Sequence, residues 1–250
     1  MSGVGLRNIR WRTKNRSRLI ALATPVLLAA MWMGPAGASP VGAHVVRPTQ
    51  QLVVLRSTHE VFSKPTGDSR PLGRVQALRP LTRERTVLPV LDTRAGWLHV
   101  RVPGSPNGHT GWIRGRATAL RTTPWHLVVD TSTRRVTVYR LGRTIRAFKA
   151  IVGKPSTPTP LGQFFVEESV QLRPTDVGAP FALSLSARST VFQEWWAGGA
   201  GHIAIHGLDN IGGVLGTAVS HGCVRLADRA MRWLVQAGRI GPGVPVTIIR

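Results

Sequence analysis

Cysteine is almost missing: Cys223 is the single one among 250 residues. That excludes an intrachain disulfide framework and any zinc module built on several thiolates. Acidic residues are scarce too, 11 Asp and Glu against 33 Lys and Arg, for a formal charge of +22. Lysine contributes little to that excess, with 4 residues against 29 arginines. A compositional preference for arginine explains the ratio as well as a binding surface does, so charge alone says only that polyanions are attracted. Internal repeats and low-complexity tracts are lacking, and 18% charged residues beside 42% apolar ones exclude a disordered chain. Long hydrophobic runs are lacking as well. The apolar stretch 19–33 is interrupted by Thr24 and Pro25 and is shorter than the roughly 20 residues of a membrane span.

What is present begins with an address. Arg7, Arg10, Arg12, Lys14, Arg16 and Arg18 precede the apolar stretch with no acid among them, and Ala36-Gly37-Ala38 follows it. Basic, apolar and small-residue regions in that order read as a secretory signal peptide over residues 1–38. An uncleaved signal anchor is the alternative, with its positive end in the cytoplasm and the protein held at the membrane. Either way the remainder is expected outside the cytoplasmic membrane, in the cell wall or periplasm. Its positive charge is spread: residues 47–121 hold 13 cations and 4 acids, and residues 122–250 hold 14 and 7. A nucleic-acid reader concentrates charge on one helix or stripe beside stacking aromatics. The expectation is therefore no nucleic-acid partner and a basic surface facing anionic cell-wall polymers.

Two globular parts follow. Leu52–Leu55, Thr86–Leu91, Trp97–Val102 and Gly111–Ile113 are short apolar runs separated by Gly and Pro, which predicts a small β-barrel over residues 39–121. Gly96–Arg101 with Thr110–Ile113 resembles the end of a bacterial Src-homology-3-like domain. Such modules often bind wall components, and a barrel that merely spaces the next domain is the alternative. Thr122-Thr123-Pro124 marks the boundary, and residues 122–250 form a second, β-rich domain. There Trp125–Val129, Arg135–Arg140, Thr144–Val152 and Phe164–Val166 read as strands, with Leu141-Gly142 as a hairpin turn. Asp228–Ala237 is the one clear helix, with Asp228 at its N-terminus, a stripe of Ala230, Met231, Leu234 and Val235, and Gly238 as the left-handed stop. A last strand covers Val244–Ile249. The fold class is mainly β.

Chemistry concentrates in Ile203-Ala204-Ile205-His206-Gly207 and Ser220-His221-Gly222-Cys223-Val224-Arg225. A thiolate is a nucleophile, and an imidazole can take the thiol proton and later return it to an amine. If the second segment is extended, His221 and Cys223 share a face, while His206 closes the arrangement through space. The main-chain N–H groups of Gly222 and Cys223 are candidates to receive an oxyanion. Two plainer readings compete. A lone Cys is commonly a small buried hydrophobe, although a spare thiol risks oxidation in an exported protein. His202, His206, His221 and Cys223 together suggest a mixed zinc site. The strand character of 203–205 sets His202 and His206 roughly 13 Å apart, so no metal is expected.

The Ser220–Arg225 string with His206-Gly207 upstream resembles the L,D-transpeptidase (YkuD-type) catalytic domain of bacterial cell-wall enzymes. Val128-Val129-Asp130, Thr157–Gly162 and Gly243–Val246 extend the likeness across residues 125–250. The resemblance implies that Cys223 attacks the third-residue carbonyl of a peptidoglycan tetrapeptide stem and expels the terminal D-Ala. An amine of a neighbouring stem then resolves the thioester into a 3→3 cross-link. It implies His206 as proton acceptor and donor, and His221, Gly222 and Ser220 as shaping the site and its oxyanion region. Arg225 is a natural partner for a donor-stem carboxylate, and the alternative is a structural ion pair with Asp228 or Asp209. The thioester conserves the energy of the broken amide, so no cofactor is implied, and carbapenems are expected to acylate Cys223. Where some members have Ser or Thr after the first His, Gly207 leaves only main chain to orient the imidazole. An L,D-carboxypeptidase using the same site and a non-catalytic wall-binding protein are the competing functions. Phe192, Trp195 and Trp196 with Gly198-Gly199 read as core or as a cover over the cleft, and Gly212, Gly213 and Gly216 as a mobile connection.

Overall fold

Alternating apolar residues and tight turns give the described residues two large antiparallel-rich sheets, a two-stranded one and one α-helix. The computed structural model describes residues 46–192 and 201–250, which lie in one unit spanning His44–Arg250. Residues 1–38, for which a signal peptide is expected from the sequence, lie outside the described residues, as do Trp195, Trp196 and Gly198-Gly199.

The first sheet contains β1 (Gln50–Leu55), β2 (His59–Phe62), β3 (Pro71–Val75), β4 (Val87–Arg94), β5 (Trp97–Arg101), β6 (Thr110–Arg114) and β7 (Thr118–Thr123). Its order is β3-β2-β6-β5-β4-β1-β7. β2, β3 and β7 were not foreseen: β3 buries only Val75 and β7 only Thr123, so neither shows the apolar alternation that identifies a strand. Pro124 then passes the chain directly into the second sheet.

That sheet contains β8 (Trp125–Asp130), β9 (Arg135–Arg140), β10 (Arg143–Lys149), β12 (Gly162–Gln171), β13 (Phe181–Arg188), β14 (His202–His206), β16 (Val224–Arg225) and β17 (Pro245–Ile249). The order is β10-β9-β8-β17-β12-β13-β14-β16, while β11 (Val152–Gly153) pairs in parallel with β15 (Ala218–Ser220). The anticipated strand 144–152 is thus two, because Ala150 and Ile151 leave β10 and bury themselves. Val136, Val138, Leu183, Ile205, Val224 and Val246 are fully buried in the core of this sheet.

Helix α1 (Asp228–Val235) turns Ala230, Met231 and Leu234 into that core. It is shorter than expected. Its last turn, Gln236–Gly238, is a 3-10 helix broken by positive φ at Ala237 and Gly238. Asp228 does not cap the helix by hydrogen bonding: Ala227 holds the N-cap position, and Asp228 Oδ1 accepts from the Leu208 N–H at 2.8 Å. The carboxylate still lies in the first turn, where the helix dipole favours it. At the other end the Arg239 guanidinium donates to the Trp233 carbonyl at 2.9 Å and stacks on the Trp233 ring.

The sheets share buried material. Phe165 of β12 is 1% exposed and packs in the first sheet's core with Val53, Leu55, Leu88, Leu98 and Ile113. Beside it, buried Glu167 pairs with Arg79 from the β3–β4 loop and with Arg188 at 2.9 Å. Glu168 accepts from the Leu81 and Thr82 N–H groups of the same loop at 3.2 and 2.9 Å. Such pairs are costly to desolvate but costlier to break singly, so they fix geometry more than they add stability. Phe165→Ala should destabilise the protein by about 3–5 kcal/mol, the range for a buried Phe. Urea denaturation should show one transition shifted to lower urea; unfolding of the first sheet in a separate step would contradict a shared core.

Candidate active site

Cys223 sits on a short turn just before β16, and that turn is bonded internally. Gly222 adopts φ +119°, a conformation that residues with a Cβ rarely adopt, and an added Cβ would stand 3.0 Å from Ile203 Cδ1. Ser220, fully buried, donates through Oγ to the Cys223 carbonyl at 2.5 Å and accepts from the Gly222 N–H at 3.2 Å. Two buried threonines brace the turn from below. Thr157 Oγ1 donates to the Ser220 carbonyl at 3.1 Å and Thr159 Oγ1 to the Gly222 carbonyl at 2.9 Å. His221 and Gly222 form a bend rather than the extended segment anticipated from sequence. The Gly222 N–H is also already engaged, which leaves the Cys223 N–H as the main-chain donor beside the sulfur.

His206 ends β14, which runs parallel to β16 in the register Ile205 with Val224 and His206 with Arg225. The Leu226 N–H donates to the His206 carbonyl at 2.9 Å and extends the same ladder. His206 Nδ1 lies 2.8 Å from the Gly207 carbonyl, so Nδ1 carries the proton and Nε2 the lone pair. The main chain thus orients the ring. Gly178, at φ +84°, lies against it so closely that a Cβ there would strike the ring at Nδ1 and Cγ.

A cleft of about 210 Å³ brings together Cys223, His206, His221 and Arg225 with Ser189, Phe192, His202 and Ile211. Ser220 and Gly222 support it from behind the Cys223 turn. Cys223 is half-buried, and its Sγ–H donates to the His202 carbonyl at 3.9 Å. Burial pushes the thiol pKa up, while the Ala204 N–H and the Arg225 charge pull it the other way. Burial pushes His206 down; the Gly207 carbonyl opposes that and Arg225 reinforces it. These directions favour a neutral thiol beside a neutral imidazole over a preformed thiolate–imidazolium pair. Among the described residues Arg225 pairs with no carboxylate: Nη1 reaches the Gly212 carbonyl at 3.4 Å, and buried Nε has no partner there. The ion pair with Asp209 or Asp228 is therefore not formed. Exposed His221 faces the half-buried Phe192 ring at 6.1 Å between centroids. Desolvation and the charges of Arg188 and Arg79 lower His202 to about 4, so its imidazole is neutral. Among the described residues no cluster of three or more His, Cys, Asp or Glu forms a metal site.

Residues 124–248 match the family model of the L,D-transpeptidase (YkuD) catalytic domain. The chain belongs to that family. L,D-transpeptidase 1 of Mycobacterium tuberculosis is 28% identical over 191 residues, covering 63% of this chain and 74% of that relative. The putative L,D-transpeptidase YkuD of Bacillus subtilis is 29% identical over 153 residues, 60% of this chain and 73% of its own. Among solved structures, a Mycobacterium smegmatis L,D-transpeptidase overlaps 62% of this chain and 90% of its own, at 17% identity and TM-score 0.39. That overlap is too loose to add to the family match.

Within this L,D-transpeptidase domain, sequence reasoning overlooked Gly178 and the bracing roles of Thr157 and Thr159. The available signal was Thr157-Pro158-Thr159-Pro160, in which hydroxyls alternate with residues that cannot donate main-chain hydrogen bonds. The pKa directions have a measurable consequence. Alkylation of Cys223 by iodoacetamide should keep rising through the ordinary thiol range as pH increases. A reactive plateau below neutrality would instead reveal a standing ion pair.

Proposed function

We propose that this protein is an exported L,D-transpeptidase that forms 3→3 peptidoglycan cross-links through a thioester on Cys223. One observation carries the reading: His206 at the end of β14 lines the same cleft as His221, Cys223 and Arg225 of the 220–225 segment. The thiol proton passes to His206 Nε2 as sulfur attacks the third-residue carbonyl of a tetrapeptide stem. The Cys223 N–H stabilises the resulting oxyanion, with His221 and the braced turn shaping its surroundings. Collapse breaks the C–N bond, and the departing D-Ala amine takes the proton from His206. The acceptor amine then attacks the thioester, gives its proton to His206, and forms the new amide as the sulfur regains a proton. No net oxidation or external energy source is needed.

Arg225 is the donor-stem contact in this scheme. Among the described residues its buried Nε has no hydrogen-bond partner and its guanidinium no carboxylate, which suits an anion that arrives with substrate. The same reading makes residues 1–38 the export signal and residues 39–121 a Src-homology-3-like module, with the cell envelope as the site of action.

Incubation with disaccharide-tetrapeptide should yield cross-linked dimers and free D-Ala by mass spectrometry. Tripeptide without dimer would identify a carboxypeptidase instead. A carbapenem should add its mass to the intact protein once, and Cys223→Ala should abolish that adduct; an unmodified wild type would refute the nucleophile. His206→Ala should leave the fold intact and lower acylation at least a hundredfold, the lower end of typical general-base contributions of about 10²–10⁴. Turnover near wild type would transfer the base role elsewhere.

A further inference from the structure

We propose that Asn107, in the β5–β6 loop of the first sheet, is a positioning residue for the cleft of the second. Its carboxamide makes two complementary bonds to one residue: Nδ2 donates to the Arg188 carbonyl at 2.8 Å, and the Arg188 N–H donates to Oδ1 at 2.7 Å. Only one orientation of the amide satisfies both, so the side chain is fixed in sense as well as place. The β12–β13 ladder ends at Val166 with Leu185, and Arg188 lies beyond its last pair. Asn107 thus supplies the main-chain partners that a neighbouring strand would otherwise offer.

The rest of Arg188 is equally constrained. Nη2 pairs with buried Glu167, and Nη1 donates to the Leu185 and Ala187 carbonyls at 2.9 and 3.1 Å. From this fixed point the chain enters the cleft wall. The Ser189 N–H donates to the Gly201 carbonyl at 2.7 Å, and Ser189 Oγ accepts from the Val191 and Phe192 N–H groups at 3.2 and 3.0 Å. Phe192 then faces the His221 ring, two residues before the nucleophilic sulfur. Asn107 touches none of the reacting atoms. It acts through Arg188 and Ser189 on the wall against which substrate must fit.

The effect on turnover rests on the proposed transpeptidase reaction; the effect on the wall does not. Asn107→Ala should raise KM for disaccharide-tetrapeptide about tenfold with kcat within threefold, since the wall positions substrate while sulfur and His206 are untouched. Val53→Ala, a first-sheet core truncation, serves as a destabilised control and should leave KM near wild type. Two readouts are independent of turnover. Amides of residues 188–192 should exchange hydrogen at least tenfold faster in Asn107→Ala than in wild type or the control. Cys223 should react with N-phenylmaleimide at a rate changed at least fivefold, while its reaction with iodoacetamide stays within twofold. If Asn107→Ala does not fold, Asn107→Asp, which keeps the acceptor and loses the donor, should give the same pattern. Unchanged exchange and an unchanged ratio between the probes overturn the proposal, even if the wild type turns over no tetrapeptide. That last result alone would refute the transpeptidase reading.

Discussion

Two ladder pairs, Ile205 with Val224 and His206 with Arg225, bring the two halves of the candidate site together. Parallel pairing at the edge of the second sheet sets β14 beside the residues immediately after Cys223. The imidazole and the sulfur therefore reach one cleft through strand pairing rather than through the 207–217 connection. Slipping a strand by one residue would turn its side chains to the opposite face. The internal bonds of Ser220, the threonine braces and the close approach of Gly178 all refine an arrangement that this register makes possible.

The environment so created favours the uncharged form of both candidate groups. Burial opposes ionisation of Cys223 and protonation of His206 alike, and the nearby Arg225 charge adds to the second effect. A neutral pair makes proton transfer part of the attack rather than its precondition. It also reduces the standing thiolate, which is the form vulnerable to oxidation. Arg225 contributes a positive charge to the cleft without an acid of its own, which suits an anionic substrate.

The first sheet is joined to this chemistry more closely than a spacer would be. Phe165 completes its core from the second sheet, and Arg79 reaches back to Glu167. The buried acids and arginines are expensive to desolvate, but once assembled they penalise any displacement that leaves one charge unmatched. Asn107 and the Arg79 loop meet the second sheet around Arg188, beside the cleft wall. A disturbance of the first sheet's loops can therefore reach the cleft through hydrogen bonds.

Much of this was legible in order along the chain. Val136 and Val138 alternate and are buried, the strand 135–140 has its anticipated limits, and the stripe of α1 matches helical spacing. Local patterns determine these elements because period-two and helical spacing act between near neighbours. One Cys and two flanked histidines likewise marked the candidate site before any coordinates, and all three line one cleft. Beyond sequence reach lay β3 and β7, the bend at His221-Gly222, the engaged Gly222 N–H, and Asp228 bonding Leu208 instead of capping its helix. The bonding of Asn107 to Arg188, 81 residues away, is the extreme case. Such contacts depend on which loops the two sheets bring together, and no periodicity encodes that. The sequence by itself determined the strongly periodic elements and the candidate site residues; the tertiary structure decided their partners, because packing chooses among donors and acceptors that are locally equivalent.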